Sequence, residues 1–578
     1  MTRIRLRPTL PEEQVLLVLA VIVGIYSGLA VVCFRIAIEW FRLRVLGSTL
    51  VPAFPRVVLV PAAVGLAVAL LVVRFFPAVR GSGVNQTKAA LYIYDGFISF
   101  RTIIGKFVTS ALAIGSGQSL GPEDPSLQIG AGIASFIGRR LKLSRARLRY
   151  VAPVGAAAGL AAAFNAPITA VLFVIEEVIG RWTAGVLGAV VLAAVSSVVT
   201  EQWFLGDQPL FRVPPYHLEH TSELLAYAVL GILGGGVSLL FVKLVATFRP
   251  RLRSLPPWTW YIQPAIAGAL IGIVALRFPQ VMGAGYDAID QAMHDAFDWR
   301  VLAALCILKL LATTTSFVTG TPGGLFAPTL FMGAMLGAAV CGVERQVAPG
   351  MAGPIGAYAL IGMGTTFAGI LRAPITSVFM IVEVSGNYSI ILPVMIANTL
   401  AYLVSRQFQR HALFDVLGRQ DGTDLPSMEE EREAEVHTVE DAMRSADGVM
   451  LDGDETVEQA IARAGQVSTE FFLVRLGAAA WGGISRAGLL AMRDSGDPTR
   501  PLGSLIPPIA RPYLYPDQSI ESALRALQER PFLPVVHRAD PTLVVGMLAL
   551  DDVLRLYRLS AKAIRQSTAD GSRSTAKS

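Results

Sequence analysis

Charge is scarce in this 578-residue chain. Only 16% of its residues are Asp, Glu, Lys or Arg, where a soluble protein of ordinary composition carries about 25%. The hydrophobic share is 53%, which argues against a soluble enzyme. Cysteine is nearly absent. Cys33, Cys306 and Cys341 are the only three, each inside an apolar segment. Such numbers exclude a disulfide framework and point to buried packing. The six histidines form neither a His-Glu-x-x-His pair nor another metal-ligand spacing, so no metal site and no membrane metalloprotease is expected. The formal charge of +6 matters less than its placement. Arg3, Arg5 and Arg7 precede the first apolar run, which argues for a cytoplasmic N-terminus and against a nucleic-acid partner. That run lacks a small-residue cleavage site and reads as an anchor.

What is abundant is apolar sequence. Runs lie at Val15–Phe34, Val57–Val73, Val186–Val199, Leu224–Val245, Ile262–Leu276, Val301–Leu311, Leu325–Val340, Ile355–Ile370 and Ile390–Val404. Several fall short of the roughly 20 residues that cross a bilayer. With glycine and proline between them they predict tilted or broken helices, tolerated in a membrane only where their ends are buried in protein or line a cavity. One apolar segment keeps its acids: Phe164-Asn165-Ala166-Pro167 leads through Ile175 to Glu176 and Glu177. It returns as Leu371-Arg372-Ala373-Pro374 leading to Glu383. Pro167 and Pro374 are 207 residues apart, and Pro125 and Pro328 are 203 apart. Two nearly equal offsets favour a duplication, a common plan of transporters, whose halves are often inverted across the bilayer.

Three glycine-rich turns each precede a helix-like run: Gly81-Ser82-Gly83, Gly121-Pro122-Glu123-Asp124-Pro125, and Gly320-Thr321-Pro322-Gly323-Gly324-Leu325-Phe326. Glycine admits close backbone approach, and a helix N-terminus offers unpaired N–H groups with partial positive charge. Several such ends meeting at mid-membrane would hold an anion and still release it. Taken singly these features are bland. Gly-Ser-Gly is usually a turn, a glutamate beside proline usually opens a helix, and Glu176 and Glu177 could cap a helix at the interface. Glu383 is expected to pair with a nearby donor. Lys106 and Lys309 are expected to meet acids or carbonyls or to add background potential.

Together, in this order, the turns and the Phe164–Glu177 segment resemble the CLC family of chloride channels and proton/chloride antiporters, over roughly Leu10 to Gln420. The resemblance implies that the Ser82 hydroxyl and the N–H groups of Leu325 and Phe326 contact a central anion. It implies that Glu123 is the gate and outer proton acceptor, and Glu177 the inner one. It also implies a homodimer with one anion pathway per subunit. Three departures stand out. The gate motif has Pro122 for a basic residue and Asp124 for glycine. Asn85 stands where the first motif has proline. Phe414, in His411-Ala412-Leu413-Phe414, takes the place of the tyrosine that gives the ion a second hydroxyl.

After Arg406 the texture changes. Glu429-Glu430-Glu431-Arg432-Glu433 reads as linker or helix start. Beyond it, one unit starts near Val439 and has a helix at Thr456–Ala464, strands at Phe471–Arg475 and Ala479–Ile484, and a helix at Ala487–Arg493. A second has a helix at Ser519–Gln528, strands at Leu533–His537 and Val544–Leu548, and a helix at Asp551–Leu559. The duplication resembles a tandem CBS pair, a regulatory module that often binds adenine nucleotides. In its Gly-h-h-Ser/Thr-x-x-Asp signature the first turn, Gly482–Gly488, lacks the acid. The second, Gly546–Asp552, keeps Asp552 and lacks the hydroxyl.

The expectation is therefore an all-α multi-pass membrane domain with an inverted repeat and tilted, broken helices, followed by a cytosolic α/β CBS pair. The segments are a transport domain over 1–418, a linker over 419–436, the CBS pair over 437–562 and a disordered tail over 563–578. The chain is expected to be no enzyme but a proton-coupled chloride antiporter of the cell membrane. A passive voltage- or pH-gated chloride channel is the alternative. A divalent-cation transporter would want clustered carboxylates, whereas these turns offer N–H donors. Partners are chloride, protons, lipid and a second copy. No cofactor is expected: with each signature half defective, the CBS pair is expected to be structural or dimerising, and an adenine nucleotide there is the alternative.

Overall fold

The computed structural model describes residues 12–47, 54–180, 184–207, 210–211, 223–348, 353–423, 425, 437–467, 469–477, 480–495, 498–508, 513–527, 530–538, 540 and 543–556. Arg3, Arg5 and Arg7, most of the linker over 419–436, Ala479, Gln528 and the tail over 563–578 lie outside the described residues. The chain divides into two compact units, Met1–Glu431 and Arg432–Ser578.

The first unit is helical. Its first half runs α1 (Glu12–Val45), α2 (Arg56–Arg74), α3 (Gly83–Tyr92), α4 (Phe100–Gly115), α5 (Glu123–Arg140), α6 (Arg145–Phe164), α7 (Pro167–Phe173) and α8 (Ala184–Leu205). The second runs α9 (Glu223–Arg253), α10 (Gln263–Ala275), α11 (Tyr286–Met293), α12 (Trp299–Val318), α13 (Phe326–Val347), α14 (Ile355–Leu371), α15 (Pro374–Ser385) and α16 (Ile391–Phe408). Each helix matches the one eight places later. Packing repeats too: α1 lies on α6 and α8 as α9 lies on α14 and α16. Local chemistry follows suit. Proline at the first helical position opens α7 and α15, where a missing N–H costs nothing. Asn165 and Arg372, both left-handed, close α6 and α14.

The halves touch reciprocally, which is the mark of a two-fold relation. Gly121 N–H donates to the Gly324 carbonyl at 2.8 Å, and Gly324 N–H to that of Gly121 at 2.7 Å. Glu176 caps α15 by accepting from Thr376 N (3.0 Å) and Thr376 Oγ1 (2.8 Å). Glu383 caps α7 by accepting from Ile168 N (2.9 Å), Thr169 N (2.8 Å) and Thr169 Oγ1 (2.6 Å). The repeated acids thus finish each other's helix starts.

Among the described residues seven helices are long and apolar enough to cross a membrane. Two sequence expectations change here. The run Val301–Leu311 looked too short, yet α12 spans 20 residues. The Thr314 and Thr315 hydroxyls donate to the carbonyls of Leu310 (2.8 Å) and Leu311 (2.7 Å), so these polar residues remain inside an apolar helix. Helix α17 (Leu413–Gln420) follows α16. Its end is tied down: Arg249 of α9 donates to Asp421 Oδ1 at 2.9 Å and to Gln420 Oε1 at 3.2 Å. Cys306 and Cys341 are buried as expected, but Cys33 lies exposed on α1. It shares that exposure with Tyr26, Ile36 and Trp40, an apolar surface that a soluble monomer rarely carries.

The second unit holds two three-stranded sheets. In one, β2 (Met450–Asp452) pairs parallel with β3 (Phe471–Arg475), which pairs antiparallel with β4 (Trp481–Ser485). Helix Val457–Ala464 lies between β2 and β3 in sequence, and helix Arg486–Ser495 follows β4. In the other, β6 (Val544–Ala549) lies between β1 (Arg444–Ser445) and β5 (Phe532–Val536), antiparallel to both. The helix Ile520–Leu527 precedes β5, and residues 550–556 are helical. The start near Val439, expected in the first of the two units, joins the second sheet instead. Val439 N–H donates to the Gln518 carbonyl at 2.9 Å, and its side chain packs with Leu514, Ile520 and Leu533.

Candidate functional site

The Gly121–Gly324 bridge sets the N-termini of α5 and α13 side by side. A side chain at Gly121 would start 2.3 Å from Glu123 Oε2, so glycine makes room for the acid. Glu123 is fully buried. Its Oε2 accepts from Ala327 N–H at 3.4 Å, at the start of α13. Its Oε1 accepts from the Tyr286 hydroxyl, which comes from α11. The N–H groups of Leu325 and Phe326 belong to the same helix start, where no intrahelical acceptor exists.

Ser82 caps α3. Its Oγ accepts from Val84 N–H at 3.2 Å and donates to Asp124 Oδ1 at 3.4 Å, and Val84 N–H also donates to Asp124 Oδ1 at 2.9 Å. Asp124 in turn packs against Gly324, where an added Cβ would meet its own Cβ at 2.9 Å. Ser82, Glu123, Leu325 and Phe326 therefore form one cluster. Phe414 joins it through a ring contact with Phe326, centroids 6.2 Å apart, in a group that includes Phe164, Phe173 and Phe367. Asn85, where the family motif has proline, donates its side-chain N–H to the Phe414 carbonyl at 2.8 Å. That bond holds α17 against α3.

Glu177 lies on a π-helical turn, Val174–Ile179, that continues α7. Such turns insert one extra residue and recur at functional sites. Both acids are buried, yet they part company. Glu176 caps α15, while Glu177 accepts from Lys88 Nζ at 3.0 Å. Lys88 also lies 3.8 Å from Asp415. Six residues of α3 separate Lys88 from Ser82, roughly 9 Å of helix rise. A small cavity is lined by Asn85, Lys88, Phe414, Asp415, Gly418, Thr423 and Leu425. Lys88, Asp415 and Tyr286 were not singled out from sequence. Lys88 carried one signal, a cation six residues after the Gly-Ser-Gly turn.

Lys106 and Lys309 meet carbonyls, one of the expected alternatives. Lys106 Nζ donates to Val79 (3.3 Å) and Gly81 (3.0 Å), and Lys309 Nζ to Val281 (3.1 Å) and Gly283 (2.7 Å). In the second unit Asp552 is buried and engaged. Its Oδ1 accepts from Arg444 Nε at 2.7 Å and its Oδ2 from Ala549 N–H at 3.2 Å.

Comparison with known proteins accords with this geometry. The family model described as voltage gated chloride channel matches residues 64–406. A putative chloride channel protein ClcB-like of Ralstonia nicotianae is 30% identical over 403 residues, covering 68% of this chain and 93% of the relative. The H(+)/Cl(-) exchange transporter ClcA of Vibrio campbellii is 30% identical over 414 residues, covering 69% of this chain and 88% of the relative. Among solved structures, a slow cyanobacterial Cl-/H+ antiporter superposes with a TM-score of 0.65 at 25% identity, over 71% of this chain and 98% of that one. A eukaryotic CLC transporter, at 22% identity, shares the fold over 93% of this chain and 97% of its own, with a TM-score of 0.62. This chain is a multi-pass membrane protein and belongs to the voltage gated chloride channel (CLC) family.

Proposed function

We propose that this protein exchanges chloride for protons across the membrane, with one anion pathway in each subunit of a homodimer. The carrying observation is the pair of buried acids at two places along one anion cluster. Glu123 sits on the start of α13 beside Leu325 and Phe326, and Glu177 sits on Lys88 farther along α3 from Ser82. In this reading Ser82, Leu325 and Phe326 donate to chloride, and Phe414 lines the same place without a hydroxyl. Glu123 leaves the start of α13 when protonated, so chloride and the ionised carboxylate exclude one another there. Glu177 passes the proton to and from the inner side. Relatives named as H(+)/Cl(-) exchange transporters support the reading.

The two halves are inverted across the bilayer, and the outward apolar faces meet lipid and the second copy. The N-terminus and the second unit lie in the cytoplasm. That unit is a tandem CBS pair with a regulatory role; its two sheets and the fold likeness over 93% of the chain support this. An adenine nucleotide there would have to take Asp552 from Arg444.

The test is a reconstituted vesicle given an inward chloride gradient. Exchange drives protons out and alkalinises the lumen. Chloride uptake at an unchanged lumen pH would sink the exchange reading in favour of a passive channel.

A further inference from the structure

Asp124 has no part in the exchange described above, and its surroundings are unusual for an acid. It is 1% exposed. Among the described residues no lysine or arginine forms an ion pair with it. Lys106, the cation whose charge acts on it, gives its ammonium to the Val79 and Gly81 carbonyls. Asp124 instead holds the start of α3 through Ser82 Oγ and Val84 N–H. That is where a helix favours an anion. The packing is shaped around it. A Cβ at Gly83 would lie 2.7 Å from the Asp124 carbonyl oxygen and 3.0 Å from its Oδ1.

We infer that Asp124 is a tethered anion that occupies the Ser82 end of the cluster and competes there with chloride, separately from Glu123 at the start of α13. The inference rests on the exchange reading. Donor counting carries it. Ser82 has one O–H and Val84 has one N–H, and both are directed at Asp124 Oδ1. A chloride ion that takes the Ser82 hydroxyl must win it from that carboxylate, because one proton cannot serve two acceptors at full strength. Two negative charges at contact distance in a buried site also repel strongly. Each site of competition has its own plug: Glu123 engages Ala327 N–H, and Asp124 engages Ser82 and Val84. Chloride affinity in this protein is therefore set by two carboxylates acting at two helix starts. Removing one leaves the other in place.

The experiment is an isothermal chloride titration of the full-length protein in detergent, with vesicle chloride efflux measured on the same preparations. It compares the wild type with Asp124→Asn, which keeps the size, and Asp124→Gly, which removes the side chain. Each variant is accepted as folded on an unchanged gel-filtration profile. Both should bind chloride at least about tenfold more tightly than the wild type, a shift of about 1.4 kcal/mol. Ser82→Ala should weaken binding more in the Asp124→Gly background than in the wild type. Wild-type efflux accompanied by a change of lumen pH, with unchanged affinity in a folded Asp124 variant, overturns the inference and leaves exchange standing. Absence of both binding and efflux in all three proteins overturns the two together.

Discussion

Lys106 and Lys309 hold equivalent pairs of carbonyls in the two halves, and Glu176 and Glu383 hold equivalent helix starts. Against that background the other positions disagree. Ser82 corresponds to Ala284, Lys88 to Asp290, Glu123 to Phe326, Asp124 to Ala327 and Glu177 to Val384. Polar side chains that recur in both halves satisfy backbone groups. These five positions gather around the starts of α3 and α13 and the far end of α3. The repeated buried charges are structural parts here and these five unrepeated side chains are candidates for chemistry, while Arg372, whose counterpart is Asn165, is unrepeated too and serves the Gln409 and Arg410 carbonyls.

The largest expected effect breaks the comparison at Glu123. Glu123→Gln, an uncharged mimic of the protonated gate, should abolish proton flux in vesicles while chloride flux persists and loses its pH dependence. Proton-coupled transport surviving in this variant would assign the proton path elsewhere. Next come the neighbouring acids. Glu177→Val should end proton movement and spare chloride. Glu176→Val should behave instead like Glu383→Val, with a lower melting temperature in detergent. Each lost hydrogen bond to a charged acceptor contributes about 1.5–3 kcal/mol. If Glu176→Val uncouples the exchanger and Glu177→Val does not, the two acids have been assigned the wrong way round.

A third contrast sets Lys88 against its counterpart. Lys88→Met leaves Glu177 and Asp415 buried without their cation and should cost about 3–5 kcal/mol of stability. Asp290→Asn, on a half-exposed position, should stay within about 0.5 kcal/mol. Equal melting temperatures for the two would mean that the Lys88 ion pairs contribute nothing. The smallest effect concerns the missing hydroxyl. Phe414→Tyr adds a donor worth about 1.5–3 kcal/mol to a charged acceptor, so chloride should bind about tenfold or more tightly in a calorimetric titration. An unchanged affinity would show that this ring does not face the ion.

Much of this arrangement was legible in the sequence because it is local. Gly121, Ser82 and Gly324 announce themselves as turns before helices, and Pro167 and Pro374 mark equivalent starts. The partners were less legible. Tyr286 meets Glu123 across 163 residues, and Lys88 meets Glu177 across 89. Nothing in a one-dimensional pattern ranks one tyrosine above another. Extending the repeat would have helped: Gly81-Ser82-Gly83 reappears as Gly283-Ala284-Gly285, and Tyr286 directly follows. Asp415 was hidden for a different reason. It follows Phe414 in a segment read only for its missing hydroxyl. In the second unit, strand positions followed from short apolar runs between helices, but the exchange of the Val439 segment between sheets depends on long-range pairing that no local run encodes.

The reciprocal glutamate caps also set a timetable for biosynthesis. The start of α7 waits for an acceptor 215 residues downstream. At about 5–20 residues per second, the ribosome needs roughly 10–40 s to deliver it. Over that interval Ile168 and Thr169 are already made and their acid is not. A nascent chain cut between the halves would therefore leave α7 open at its first turn, and a protease pulse during translation should find that turn until Glu383 emerges.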